Sequence, residues 1–268
     1  MNQRVLPGFR TSLGFTITYL TILVVIPLAA CVITTLSLSW ESFWQIVLSK
    51  RAIAAYCLTF RVAAISAIIS VGIGFLLAWV LVRYSFPAKR FFDSIIDLPF
   101  ALPTAVAGLV YTHLYYRHGW FGRPLHALGI DVVYSEIGII LVLIFIGFPF
   151  VVRTIQPVLE SLDSDMEEAA SSLGSSRWQT FARVILPSLY PAMITGFVLA
   201  FARALGEYGA IIFIAGNRPF HTEIATVLIV SRLESYHYAE ATAIGMVVLF
   251  VTSILLLLIN RLKRWIEE

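Results

Sequence analysis

Two ionisable residues stand inside an otherwise apolar stretch, Arg203 and Glu207 in Arg203-Ala204-Leu205-Gly206-Glu207-Tyr208-Gly209. Four positions apart, they face the same side of a helix. Charge at a bilayer centre costs about 2.5–3.5 kcal/mol on insertion scales, so such residues pair, face a cavity, or do both. Two readings stay open. In one, the two form a buried ion pair that fixes helix packing, with basic before acidic the weaker helical order. In the other, Arg203 attracts an anion wherever Glu207 leaves positive potential uncancelled. If the pair closes fully, backbone and hydroxyl donors must carry the anion instead.

Other reactive patterns are missing. His113, His118, His126, His221 and His237 are scattered without paired metal-ligand spacing, so no metal ligand is assigned. No G-x-S-x-G pattern occurs, and no catalytic residue is assigned. Cys31 and Cys57 read as small hydrophobes. No G-x-x-x-x-G-K-[ST] loop is present, so the chain holds no cofactor of its own and any use of ATP requires a partner.

Composition says what must position these residues. Hydrophobic side chains make up 59% of 268 residues and charged ones 13%, with mean hydropathy +0.87, the profile of a polytopic membrane protein in contact with lipid rather than nucleic acid. Six runs approach or exceed the roughly 20 residues that cross a hydrocarbon core, near Phe15–Leu36, Val62–Val82, Phe100–Tyr116, Ile137–Val152, Ala192–Ile214 and Ala241–Ile259. All read as helices, since an open strand leaves its backbone unsatisfied in lipid. The first run is long enough to span, lacks a cleavage site and reads as retained. With the N-terminus inside, Arg4, Arg10, Arg83, Lys89, Arg90, Arg153, Arg177, Arg183, Arg261, Lys263 and Arg264 fall on the cytoplasmic side, against Lys50, Arg51, Arg117, Arg123, Arg218 and Arg232 outside. The bias predicts N-in and C-in.

Smaller features follow from the same rules. Trp40, Phe43, Trp44, Ile46 and Val47 suit a short interfacial helix, and Ile224–Val230 is too short to cross. Pro99 and Pro103 predict a broken helix start in the third run, flanking a cavity or making a packing kink. Pro149 with Gly147 gives a weaker signal of the same kind in the fourth. Gly196, Gly206, Gly209 and Gly216 permit close backbone approach in the fifth. Arg61, at the outer end of the second run, is expected to snorkel to the headgroups.

Between the fourth and fifth runs lies a polar segment. Ser164-Asp165-Met166-Glu167 has the form of a capping box. Met166, Ala169, Ala170 and Leu173 then share one helical face, and Gly174 ends the helix. Ser175 or Ser176 caps a second helix with Trp178, Phe181, Ala182 and Ile185 along one stripe, ending at Pro187 and lying along the membrane face.

Glu168-Ala169-Ala170, three residues, Gly174, nine residues, then Val184-Ile185-Leu186-Pro187 resembles the EAA loop of ABC importer permeases, with Val184 where isoleucine is usual. Ala204–Ala210 and Ile214–Asn217 resemble the oxyanion branch of that family. Val5–Phe9, Asp97–Leu109 and Pro149–Glu160 look like its CysT-type sulfate/thiosulfate permeases, a resemblance that covers essentially the whole chain and is weakest in the outer loops.

The resemblance implies an all-α membrane protein with six transmembrane helices of type I ABC importer architecture. It implies one transmembrane domain over 1–268, with a coupling loop at 158–188, in a bacterial inner membrane. Glu167, Glu168, Ala169, Ala170, Leu173, Gly174 and Arg177 would meet an ATPase, and Arg203, Glu207, Tyr208, Pro99, Pro103 and Thr104 are candidates for the path. Implied partners are a CysW-type second permease, two CysA-type ATPases that carry ATP and magnesium, and a periplasmic sulfate/thiosulfate-binding protein. A molybdate permease, assembled as a homodimer, is the neighbouring alternative. An ATP-independent anion transporter is the alternative from another class, for which internal repeats and midplane ion ligands are the usual signs.

Overall fold

The structure is a computed structural model that describes residues 8–267. Arg4, the Val5–Pro7 part of the N-terminal resemblance and the side chains of Ser164 and Arg264 lie outside the described residues. The described chain is helical and contains no strand. In order the helices are α1 (Phe9–Leu36), α2 (Trp40–Val47), α3 (Lys50–Arg83), α4 (Lys89–Ile96), α5 (Leu98–Ala101), α6 (Thr104–Tyr115), α7 (Gly122–Ala127), α8 (Glu136–Glu160), α9 (Ser164–Ser172), α10 (Arg177–Leu205), α11 (Ile211–Ala215), α12 (Ala225–Glu234) and α13 (Tyr238–Glu267).

Five of these are long and apolar enough to cross a membrane: α1, α3, α8, α10 and α13, the last over Tyr238–Arg261. The third apolar run does not form a single helix of that length. Leu102 and Pro103 are extended between α5 and α6, the break that Pro103 imposes by lacking an N–H and restricting the residue before it. Pro149 and Gly147 break nothing, contrary to expectation. Both lie inside α8, where packing against α3 and α10 holds the helix through the one hydrogen bond that Pro149 cannot make. Pro157 is also internal to α8, so the polar loop starts after Glu160 rather than at 158.

The core is the three-way packing of α3, α8 and α10. Ile139, Leu143, Val151, Val152, Ile155 and Leu159 of α8 meet Val62, Ala63 and Ala67 of α3 and Leu189 and Ala200 of α10, all almost fully buried. The outward sides stay apolar. α1 has no buried residue and touches α13, as suits a helix whose solvent is lipid or another chain. α2 presents Trp40 and Trp44 to the outside in an edge-on pair 5.5 Å apart, the aromatic surface expected of an interfacial helix. α12 lies against α3 and α13 without crossing, as its length requires.

The fifth run departs most from its sequence reading. It ends as a helix at Leu205, and the chain turns through Gly206–Ala210 into the short α11, which packs on α6. Contact there is close enough that a Cβ on Gly108 would sit 2.3 Å from the carbonyl oxygen of Ala210. Backbone cannot retreat as a side chain can. Gly108→Val is therefore expected to destabilise the protein by about 3 kcal/mol, the upper end for overpacking. A thermal melt of the detergent-solubilised variant checks this; an unchanged midpoint would contradict the α6–α11 contact.

Candidate functional site

The polar loop is built by hydrogen bonds that its own residues supply. The N-cap of α9 is Asp163, whose carboxylate accepts the Asp165 N–H at 3.1 Å. A carboxylate at the N-cap satisfies one of the free N–H groups of the first turn. Gly174 ends α9 with φ +81°, and Gly174 N–H and Ser175 N–H return to Ser171 O (2.9 Å) and Ala170 O (3.0 Å). This paired closure requires a left-handed residue. Ser176 then begins α10 in reciprocal capping with Gln179, at 3.3 and 2.8 Å.

Pro187 does not stop the second helix, which is not a separate element among the described residues. Arg177–Leu205 is one helix with a π segment at Phe181–Ile185, where Leu186 N–H bonds Phe181 O. The wider turn just ahead of Pro187 accommodates its missing N–H, and Ser188 Oγ donates to Val184 O at 2.8 Å. Arg177 is therefore the first residue of the same helix that forms most of the fifth run.

The faces of α9 also differ from the single apolar stripe expected. Ala170 is buried, while Met166, Ala169 and Leu173 face out, Leu173 being 88% exposed. Glu168 is exposed as well. Glu167 turns inward to an ion pair with Arg83, at the end of α3, whose guanidinium lies 5.4 Å from the Trp79 ring. Trp79 packs edge-on against Phe181 at 5.3 Å, which stacks on Trp178. Arg177 is exposed and makes no ion pair among the described residues.

The second set of candidates gathers where two helix breaks meet. A Cβ on Gly209 would lie 2.4 Å from Thr104 Oγ1, so the start of α6 and the Gly206–Ala210 turn are in contact. Arg203 and Glu207 pair at 2.7 Å, the guanidinium about a third exposed and the carboxylate buried. They do not share a continuous helix. Arg203 occupies the last turn of α10, where the helix dipole favours a cation, and Glu207 lies beyond the helix end, so the pair is free of the unfavourable order within one helix. Glu207 Oε1 accepts the Ala210 N–H at 2.8 Å and Glu207 O accepts Thr226 Oγ1 at 2.8 Å. Tyr208 is half-buried against the core, Pro103 and Thr104 flank the contact, and Pro99 is buried on α5.

Several polar links were invisible in sequence. Arg153 of α8 bonds Asp97 at 2.8 and 2.7 Å, Asp93 at 2.7 Å and Gln156 at 2.8 Å, fastening α4 and the turn before α5 to α8. The only advance signal was Asp93 and Asp97 at helical spacing. Arg51 holds the buried Glu223 through two bonds of 2.7 and 2.6 Å, and Thr59 Oγ1 accepts the Ala225 N–H at 2.8 Å. Arg61 pairs with Glu136 rather than only snorkelling. Among the exposed residues before α8, hydrogen bonds from His126 and then Arg117 hold the Asp131 carboxyl below its ordinary range. No group of described residues has the make-up of a metal site.

Comparison with known proteins places this geometry. Residues 70–268 match the family model of the binding-protein-dependent transport system inner membrane component. The chain belongs to this permease family. Within it, this permease is 49% identical over 250 residues to the sulfate transport system permease protein CysT of Synechocystis sp., covering 93% of this chain and 87% of that one. It is 44% identical to CysT of Escherichia coli, covering 98% and 95%. The permease also shares its fold with a chain of a bacterial alginate ABC transporter solved with a pentasaccharide-bound periplasmic protein, with TM-score 0.79, 21% identity and coverage of 96% and 94%. It is thus a multi-pass inner membrane component of the type I ABC permease fold.

The Arg203–Glu207 pair gives a directional prediction. Arg203→Ala strands a buried carboxylate and is expected to cost about 3–5 kcal/mol. Arg203→Ala/Glu207→Gln, which removes the charge but keeps an acceptor for Ala210 N–H, should recover at least half of that. Chemical denaturation of the three proteins reads the difference; a double variant no more stable than the single one would remove the pair from the account.

Proposed function

We propose that this chain is the permease subunit of an ATP-driven importer that passes sulfate and thiosulfate into the cytoplasm. The observation that carries the reading is near-full-length identity of 44–49% to relatives named as sulfate transport permeases. The structure supplies a matching device, a polar elbow held by its own caps and joined rigidly to α10.

In this reading the α5–α6 segment completes a sixth crossing, and both termini lie inside. One transmembrane domain fills the chain. Met166, Glu168, Ala169 and Leu173 form the outward face of α9 that enters an ATPase, Glu167, Ala170 and Gly174 fix its angle, and Arg177 stands beside it at the start of α10. A CysW-type permease, two CysA-type ATPases holding ATP and magnesium, and a periplasmic sulfate-binding protein complete the machine; hydrolysis belongs to the ATPases. The alginate transporter solved with its periplasmic protein supports a binding-protein partner. Closure of the ATPases tilts α10 as a rigid body through its unbroken connection to Arg177.

The path runs beside the contact of the two helix breaks. Desolvating a sulfate dianion without donors is prohibitive, and non-helical backbone at membrane depth is tolerated where it lines a cavity. Because Glu207 is closed onto Arg203 and Ala210, only the exposed side of the Arg203 guanidinium adds positive potential. Thr104 and the turn around Tyr208 supply the remaining polar groups, with Pro99 and Pro103 keeping the third segment unwound.

Radiolabelled sulfate uptake in cells expressing the full system tests the cargo. Excess thiosulfate is expected to suppress it at least tenfold and molybdate far less; the reverse order would assign a molybdate permease. Glu168→Arg and Gly174→Val should abolish uptake while the chain still reaches the membrane, the second because valine at a left-handed φ costs about 1–2 kcal/mol and redirects the elbow. Normal uptake by either variant would overturn the coupling role.

A further inference from the structure

Behind α9, on the side turned away from its exposed Leu173 face, the structure holds a cleft of about 430 Å³. Its walls are the end of α3, the inner face of α9 and the first turns of α10. Two guanidinium groups line it, Arg83 and Arg177, against one carboxylate, Glu167. The Arg83–Glu167 pair leaves Arg83 Nε buried with no hydrogen-bond partner. Arg177 has no ion pair among the described residues. The hydroxyl-bearing Ser171, Ser175 and Thr180 lie along the same walls.

We propose that this cleft is a binding site for a tetrahedral oxyanion, held between Arg83 and Arg177 and competing with Glu167 for Arg83. Three observations converge on that chemistry. The cleft carries one positive charge more than it can neutralise from its own walls. An unused N–H of a half-buried guanidinium costs free energy that an acceptor would relieve. Paired arginines with hydroxyls recognise sulfate-like and phosphate-like groups because the planar fork matches two oxygens at once.

Competition with Glu167 gives the site a consequence. Glu167 is the ionic link between α9 and α3, and an anion that takes over Arg83 frees the inner face of α9. On the reading that α9 meets the ATPase, occupancy would loosen the coupling element, so that the accumulated product of import acts back on it. The binding claim itself does not depend on that reading. Two sources offer the same chemistry: free sulfate from the water phase, or the phosphate of an anionic lipid, whose headgroup region suits the aromatic Trp79 and Tyr84 that also line the cleft.

The test uses the full chain in nanodiscs, of phosphatidylcholine alone or with phosphatidylglycerol added. Sulfate is titrated against gluconate at matched ionic strength by calorimetry, and hydrogen exchange is followed over Ser164–Ser172. In phosphatidylcholine, saturable sulfate binding is expected together with faster exchange in α9. Glu167→Gln, which removes the competitor, should tighten binding by about tenfold, and Arg177→Gln should weaken it by about tenfold or more. Faster α9 exchange with phosphatidylglycerol but not sulfate, abolished by Arg177→Gln, identifies the lipid headgroup as the occupant and also upholds the site. No response to either anion, or affinity indifferent to Glu167→Gln, overturns the proposal. Because these readouts involve no transport, they stand or fall separately from the uptake measurements that test the cargo.

Discussion

A hydrocarbon environment offers no partner to a free backbone N–H or C=O, and the rest of this structure depends on how that demand is met. Long helices satisfy it internally. Where helices stop inside the packed bundle, the protein must supply the partners, and it does so with few side chains. Glu207 takes the Ala210 N–H that opens the turn into α11 and neutralises Arg203 at the end of α10, while Thr226 satisfies the Glu207 carbonyl. Thr59 performs the same service for Ala225 at the start of α12. The ionisable residues in apolar segments are thus first a means of ending helices inside the membrane domain. Any role toward an anion is added to that.

Ending helices at depth brings irregular backbone from two segments together. The extended Leu102–Pro103 link and the Gly206–Ala210 turn touch through Thr104 and Gly209, with α6 and α11 close enough to require Gly108. A surface of backbone dipoles and hydroxyls results, on a frame fixed by the α3–α8–α10 core. Rigidity and polarity are supplied by different parts of the chain. Arg153, bonded to both Asp93 and Asp97, ties the unwound segment to the core helix at the other side of the break.

The water-side elbow follows a different rule. Bulk water is available there, so side-chain caps decide conformation, and the elbow is defined by Asp163, Gly174, Ser176 and Gln179 within a short stretch. Beyond it α10 is continuous from Arg177 to Leu205 because the π segment absorbs Pro187. Only the short Gly174–Ser176 turn separates α9 from the helix that forms the fifth run. The inward turn of Glu167 to Arg83 gives the elbow a second anchor, on α3, which is ionic and open to competition in a way that the packed core is not.

Much of this protein was legible in its residues alone. The apolar runs set the helices, Gly174 and Ser176 set the elbow, Pro103 set the break in the third segment, and the EAA-like spacing set the family. These are local properties, dictated by hydropathy, φ restriction and the reach of a short side chain. What the sequence left undecided was long-range. Whether Pro149 or Pro187 would interrupt a helix depended on neighbouring helices and on a π turn. The fate of Arg203 and Glu207 depended on where α10 stopped, which the contact of Gly209 with Thr104 decides across a hundred residues of chain. Partners such as Arg51 with Glu223 and Arg83 with Glu167 leave no spacing to read, and the helical spacing of Asp93 and Asp97 does not name Arg153, because electrostatic pairing answers to distance in space. Local sterics wrote the elements, and only packing chose which charges would meet.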